Sequence, residues 1–229
     1  MTNQFHRNLN RMAFFTALVA VGLMLFRAEF LRIAVGNIYL NGVIIGTTLF
    51  GIGLCFVEMF RLLPEYRWVR AFFRGARNAP LPPRLLRPVA LLMRRGASDV
   101  SPAVMQNMME MIQVRFEDAR ESVRYITNTL IFLGLLGTFW GLIMTVGGFA
   151  DLIGGLSFDD ETVLLALQAG LGRPLAGMAT AFTSSLMGLG GSLIVGFLGL
   201  QVQLAQNAIF RELEEFFAEH ARVASQRRA

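Results

Sequence analysis

Long apolar runs separated by polar stretches dominate the chain, at Met12–Phe26, Ile38–Phe60, Ile126–Phe149 and Pro174–Leu200. The last two contain no charged residue, and at 1.5 Å per residue each is long enough to cross a hydrocarbon core of roughly 30 Å. The first is shorter, with Arg11 and Arg27 placed to snorkel at its ends. A basic start and a short apolar core also fit a secretory signal. Arg27-Ala-Glu29-Phe-Leu-Arg32 follows, however, without a small-x-small cleavage site, which favours an uncleaved first span. The pattern predicts an all-α integral membrane protein with four transmembrane helices, the third and fourth extended into the cytoplasm.

Between the runs, the sequence reads as follows. Pro80-Leu-Pro-Pro-Arg-Leu-Leu-Arg-Pro88 punctuates the polar connection 61–125, and Ser101-Pro102 resembles an N-cap followed by proline at the first helical position. No proline follows before Phe149, so the third span is predicted to end a much longer helix. Val104, Met108, Met111, Ile112 and Arg115 are expected on or near its packed face, with Met105 and Met109 also filling a core. Asp159-Asp160-Glu161, followed by Val163, Leu164, Leu167 and Leu171, predicts a capped amphipathic helix at the outer interface. Past the fourth span, Leu204, Ile209, Leu213, Phe216 and Phe217 are spaced to cover one helix face. The organisation expected is thus two leading spans (1–60), an arginine-rich connection (61–101), a domain holding the third and fourth spans (102–222) and a basic tail (223–229).

Composition narrows the class. Hydrophobic content of 54% and mean hydropathy of +0.52 exclude an ordinary soluble domain. All 21 basic residues are arginine, and twelve fall in 61–125 against six acids. Charge lying between apolar runs sets topology rather than gripping nucleic acid, so the positive-inside rule places 61–125 and both termini in the cytoplasm. Cys55 stands alone and reads as a small apolar filler. His6 and His220 are far apart in sequence and suggest no metal cluster. Glu58, beside Arg61, is read as a headgroup-level acid, with a proton relay as the alternative.

The last two runs carry the candidate chemistry. Gly134, Gly141 and Gly148 recur every seven residues, as do Thr138 and Thr145, and Gly137 with Gly141 makes a GxxxG pair. Thr180, Ser184, Gly188, Ser192 and Gly196 recur every four. Small faces of this kind admit close helix packing, and their hydroxyls either bond helix carbonyls or line a polar path. The neighbour of Thr180 depends on the turn: Thr138 if it lies near 154–159, Thr145 if the fourth span begins at Pro174.

Leu133-Gly-Leu-Leu-Gly-Thr-Phe-Trp-Gly-Leu142 closely resembles the signature of the MotA/TolQ/ExbB proton-channel family. Ala179-Thr-Ala181, followed by Phe182-Thr-Ser-Ser-Leu-Met-Gly188, resembles its second, weaker signature. The likeness covers roughly 100–220, and the four-span arrangement is similar to that of MotA and ZorA. It implies a homopentamer around a dimer of single-span MotB/TolR/ExbD-like partners whose membrane aspartate carries H+, or in some members Na+. Thr138 and Thr180 match the hydroxyls facing that aspartate; the spacing of small residues adds Thr145 and Ser184 as further lining and Gly134, Gly137, Gly141, Gly188, Ser192 and Gly196 as packing positions. No cofactor is implied. A non-conducting membrane scaffold is the rival reading. A transporter lacks support from an inverted repeat, and an enzyme lacks a nucleophile–base constellation.

Overall fold

The computed structural model describes residues 4–28, 37–73, 85–96, 102–155, 167–168 and 170–226. It is all-helical over these residues: α1 (Gln4–Leu25), α2 (Ile38–Phe73), α3 (Arg87–Gly96), α4 (Pro102–Gly154) and α5 (Gly172–Gln226). Four of these, all but α3, are long and apolar enough to cross a membrane. α4 has 53 residues and α5 has 55, each more than twice what a bilayer core of about 30 Å requires. α4 begins at Pro102, where the missing amide hydrogen costs nothing at a helix start. The proposed cap, Ser101, and most of the predicted outer amphipathic helix (156–166 and 169) lie outside the described residues. The last turn of that helix is present, with Leu171 N–H donating to the Leu167 carbonyl at 3.1 Å.

The chain divides into two compact units, each built from separate segments: 1–16, 53–124 and 197–229 form one, 17–52 and 125–196 the other. The first has an ordinary mixed core. Met59, Leu62, Tyr66 and Val69 bury one face of α2, and Met105, Ile112, Phe116 and Val123 bury one face of α4. Val202, Ala205, Gln206, Ile209 and Leu213 do the same for α5. The expected faces are met in part: Met105, Ile112, Ile209 and Leu213 are buried as expected, whereas Val104, Met111 and Leu204 are exposed, as is Arg115, and Val202 takes an inward position. Helical rows inclined to the axis carry the packed stripe past the positions a simple spacing count selects.

α2 continues thirteen residues beyond Phe60, through Pro64. The stretch after Arg61 reads as polar because Arg61 and Arg67 are prominent, yet both are exposed while its apolar positions pack inward. Glu65 is 2% exposed and accepts from the backbone amides of Leu85 (2.8 Å) and Leu86 (3.3 Å), just ahead of α3. The Leu86 carbonyl then accepts from Ala90 N–H, opening the α3 ladder. A carboxylate thus satisfies amides that have no intrahelical partner and sets its charge at the positive end of the α3 dipole. Arg120 fastens α4 to α5 through Gln206 (2.9 Å) and Asn207 (2.6 Å).

Replacing Glu65 with Ala leaves two amides without their acceptor and costs about 1–3 kcal/mol locally. Hydrogen exchange at Leu85, Leu86 and the first turn of α3 is expected to accelerate while exchange in 126–148 stays unchanged. Unaltered protection at Leu85 and Leu86 would contradict the capping role.

Candidate functional site

The second unit is held together by backbone proximity. Charged side chains among its described residues are confined to Arg27, Asp151 and Arg173, and the last two pair with each other beyond the ends of the apolar runs. Along α4, residues 126, 130, 134, 137, 141, 145 and 148 are buried, in a repeating pattern of two four-residue steps and one three-residue step. On α5 the inward positions include 174, 177, 180, 181, 184, 188, 191, 192 and 195. Gly134 meets Gly188, Gly137 meets Ser184, Gly141 meets Gly177 and Ala181, and Gly148 meets Pro174. A Cβ on Gly188 would lie 2.6 Å from the Leu130 carbonyl oxygen, and one on Gly177 would lie 2.6 Å from the Thr145 nitrogen. Neither contact is compatible with a side chain, so glycine here is a condition of the helix spacing.

α2 completes the packing. Asn41 and Ser184 are both fully buried, and the Ser184 hydroxyl donates to Asn41 Oδ1 at 2.9 Å. A Cβ on Gly137 would also meet Leu40, one on Gly191 would meet Thr48, and one on Gly51 would lie 2.8 Å from Val195. Three helices therefore meet around a polar node that no charge accompanies. The sequence reading missed Asn41. A lone amide near the start of an apolar, glycine-containing run was the available signal, because such a group in a hydrocarbon environment requires a partner.

The expected lining residues separate into two sets. Thr145 (7% exposed), Thr180 (7%) and Ser184 lie on the α4–α5 seam, whereas Thr138 is half-buried at its rim. Thr145 donates to the Gly141 carbonyl at 2.8 Å and lies 3.3 Å from that of Pro174. Thr138 donates to the Leu135 carbonyl at 2.6 Å. The register follows from where α5 begins: with its start at Gly172, Thr145 faces its first two turns, and Thr180 comes one position before the partner of Gly141. Thr145 is thus the natural neighbour of Thr180 along the seam, and Thr138 falls level with Ser184. Ser192 is buried and donates to the Leu189 carbonyl, and Gly196 is in ordinary contact with Thr127. Glu58 pairs with Arg61 at 3.0 Å, with 19% of its side chain exposed, in the first unit.

The outward faces are apolar. Phe132, Phe139, Ile143 and Val146 on α4 and Phe182, Leu186 and Leu193 on α5 are each about two-thirds or more exposed. So large an apolar surface needs lipid or other protein to cover it. Fold and site together define a helical protein with four potential membrane spans and a charge-free, hydroxyl-bearing seam. No known family model, curated protein or solved structure matches the chain.

Gly141→Ala forces a methyl group against the backbone at Ala181 and Gly177. It is expected to cost about 1–3 kcal/mol by overpacking, lowering the unfolding temperature in detergent. Gly46→Ala, in a helix position with open space around it, is expected to be neutral or slightly stabilising by the helix propensity of alanine. Equal effects of the two substitutions would mean that the close approach does not hold the seam.

Proposed function

We propose that the chain is an ion-channel, stator-like subunit of a proton-motive-force-driven rotary motor in a bacterial inner membrane, with both termini cytoplasmic. Five copies surround a dimer of single-span MotB/TolR/ExbD-like partners, and ion flow turns one ring against the other to do mechanical work. The observation that carries this reading is the row of buried hydroxyls along the charge-free α4–α5 seam, Thr145, Thr180 and Ser184, the last bonded to Asn41 of α2. Thr138 stands beside it on the rim, where a companion helix can reach a hydroxyl. Hydroxyls and amides stabilise a passing cation by their dipoles, but they do not titrate near neutral pH. A mobile carboxylate from the partner supplies the titrating group, and H+, or Na+ where the oxygens coordinate it, moves on and off that acid. The motif likeness at 133–142 and 179–188 supports the same assignment. The exposed apolar faces provide the area through which copies pack against one another and against lipid.

A second reading, a non-conducting membrane scaffold that assembles through its small-residue faces, draws on a specific observation. Thr138, Thr145, Thr183 and Ser192 all donate to carbonyls of their own helices. Hydroxyls engaged in this way can simply be satisfying themselves in an apolar setting.

The two readings diverge on Thr138→Val and Thr180→Val. Under the channel reading both variants assemble as pentamers by native mass spectrometry. Proton uptake by liposomes holding subunit and partner falls about tenfold, the loss expected for one hydrogen bond to a charged species. Full uptake by both variants favours the scaffold. Full conduction by the subunit reconstituted alone would rule out a borrowed acid.

A further inference from the structure

Two faces of the first unit carry unpaired charge of opposite sign. Arg67 on α2 is exposed, and so are Glu110 and Glu117 on α4. None of the three has an ion-pair partner among the described residues. Glu110 and Glu117 stand about two helical turns apart, away from the side of α4 that buries Met105, Ile112, Phe116 and Val123. Val114, also exposed, lies between them. Arg67 likewise points away from the side of α2 that buries Met59, Leu62, Tyr66 and Val69. The groove between α2 and α4 takes its lining from other positions on both helices. The basic and acidic faces therefore look to different sides of the unit and do not meet within one chain.

The groove fixes the depth of each charge. Its walls run from Glu58 to Glu65 on α2 and from Arg115 to Ser122 on α4, eight residues each. The two helices are consecutive candidate spans, so across a membrane they run in opposite directions. Glu58 is then level with Ser122, and Glu65 with Arg115. Arg67, two residues further on, is level with a point halfway between Glu110 and Glu117, beside Val114. Copies of a membrane protein share one orientation in the bilayer, and a rotation about its normal leaves depth unchanged. A cation and two anions on different sides of one unit, at one depth, are thus placed for a neighbour of the same sequence. We propose that the first unit binds a second copy of this chain head to tail, with Arg67 of one copy beside Val114 of the next, between its Glu110 and Glu117. The carboxylates, about 10 Å apart along the helix, bracket the guanidinium within reach of three long side chains. Exposed ion pairs add little affinity by themselves; this triad selects which faces meet, while apolar contact supplies the rest. Because the two faces differ, the contact is heterologous and propagates into a ring or a row. The proposal specifies the join between the copies described above, rests on that reading only for their common orientation, and requires no ion conduction.

Disulfide cross-linking of the full chain in membranes provides the test. Two differently tagged chains are co-expressed, one carrying Arg67→Cys and the other Val114→Cys; the native Cys55 is fully buried and adds little background. The expected product holds both tags and exceeds the homodimer of either variant, because a disulfide forms only where Cα atoms come within about 7 Å. Native mass spectrometry supplies a second readout. Arg67→Glu sets like charges across the contact and is expected to lower the oligomer about tenfold, as is Glu110→Arg together with Glu117→Arg. Combining all three substitutions restores the complementarity and with it the oligomer, a recovery that a misfolded chain would not show. A mixed product no stronger than the homodimers, oligomers indifferent to charge reversal, or no recovery in the triple variant would overturn the proposal. Pentamers that form without the mixed cross-link refute this join and leave the channel reading standing, whereas cross-linked copies that conduct nothing with a partner uphold the join and refute the channel.

Discussion

The close approach of α4 to α5 is the constraint on which the rest of the second unit depends. In water, two apolar helices associate because burial removes surface from solvent, but lipid tails offer an equally apolar alternative and remove that drive. What remains is dispersion, weak polar contacts and shape, all of which decline rapidly with separation. Gly134 against Gly188 and Gly141 against Gly177 bring the backbones near enough for these short-range terms to act. The same proximity gives Thr145 a second carbonyl, that of Pro174, in addition to the one in its own helix. Packing and polarity are therefore one feature here: the small residues that allow contact also set the hydroxyls between the helices.

The first unit solves a different problem with different means. It buries Met59, Leu62, Ile112, Phe116, Ile209 and Leu213 in an ordinary core. It also accommodates polar groups by giving each a fixed partner: Glu65 receives two amides, and Arg120 is shared between Gln206 and Asn207. Such contacts are directional and tolerate a wider helix spacing than the glycine seam. That difference explains why arginine, glutamate and glutamine populate the core edges of one unit while glycine, serine and threonine populate the other. Gln201 departs from the pattern, buried with its amide oxygen unpartnered among the described residues; the structure gives no physical account of it.

Much of this was legible in the residues themselves. The four apolar runs and the proline at 102 specify long helices, because hydrophobic length and helix-start chemistry act locally. The heptad spacing of Gly134, Gly141 and Gly148 and the four-residue spacing of Ser184, Gly188 and Ser192 correspond to positions that the structure buries. Less legible were features set by partners distant in sequence. Asn41 gains its meaning from Ser184, and Glu65 from amides twenty and twenty-one residues later, just ahead of a helix. The inward position of Val202, with Leu204 exposed, depends on the angle at which helices meet, which a one-dimensional count does not contain. The rim position of Thr138 likewise follows from the register of α5, which its starting point at Gly172 determines.

That rim position bears on what the seam can do. A hydroxyl wedged between tightly packed helices acts through the orientation of its dipole. A hydroxyl at the edge keeps one side available. Thr145 and Ser184 therefore act from within, holding the carbonyls and the Asn41 amide of the node in place, while Thr138 is the member of the set that another chain can touch. A helix docking there also covers some of the exposed apolar surface around Phe139 and Leu142. Association and exposure to a polar group then occur in the same step. Any charged group such a helix carries enters a region whose own residues supply dipoles and no counter-charge, where its protonation state is sensitive to small changes in hydration. Under the proposed channel reading, hydrophobic cover would bring a companion in, and the hydroxyl rim would determine what that companion could carry.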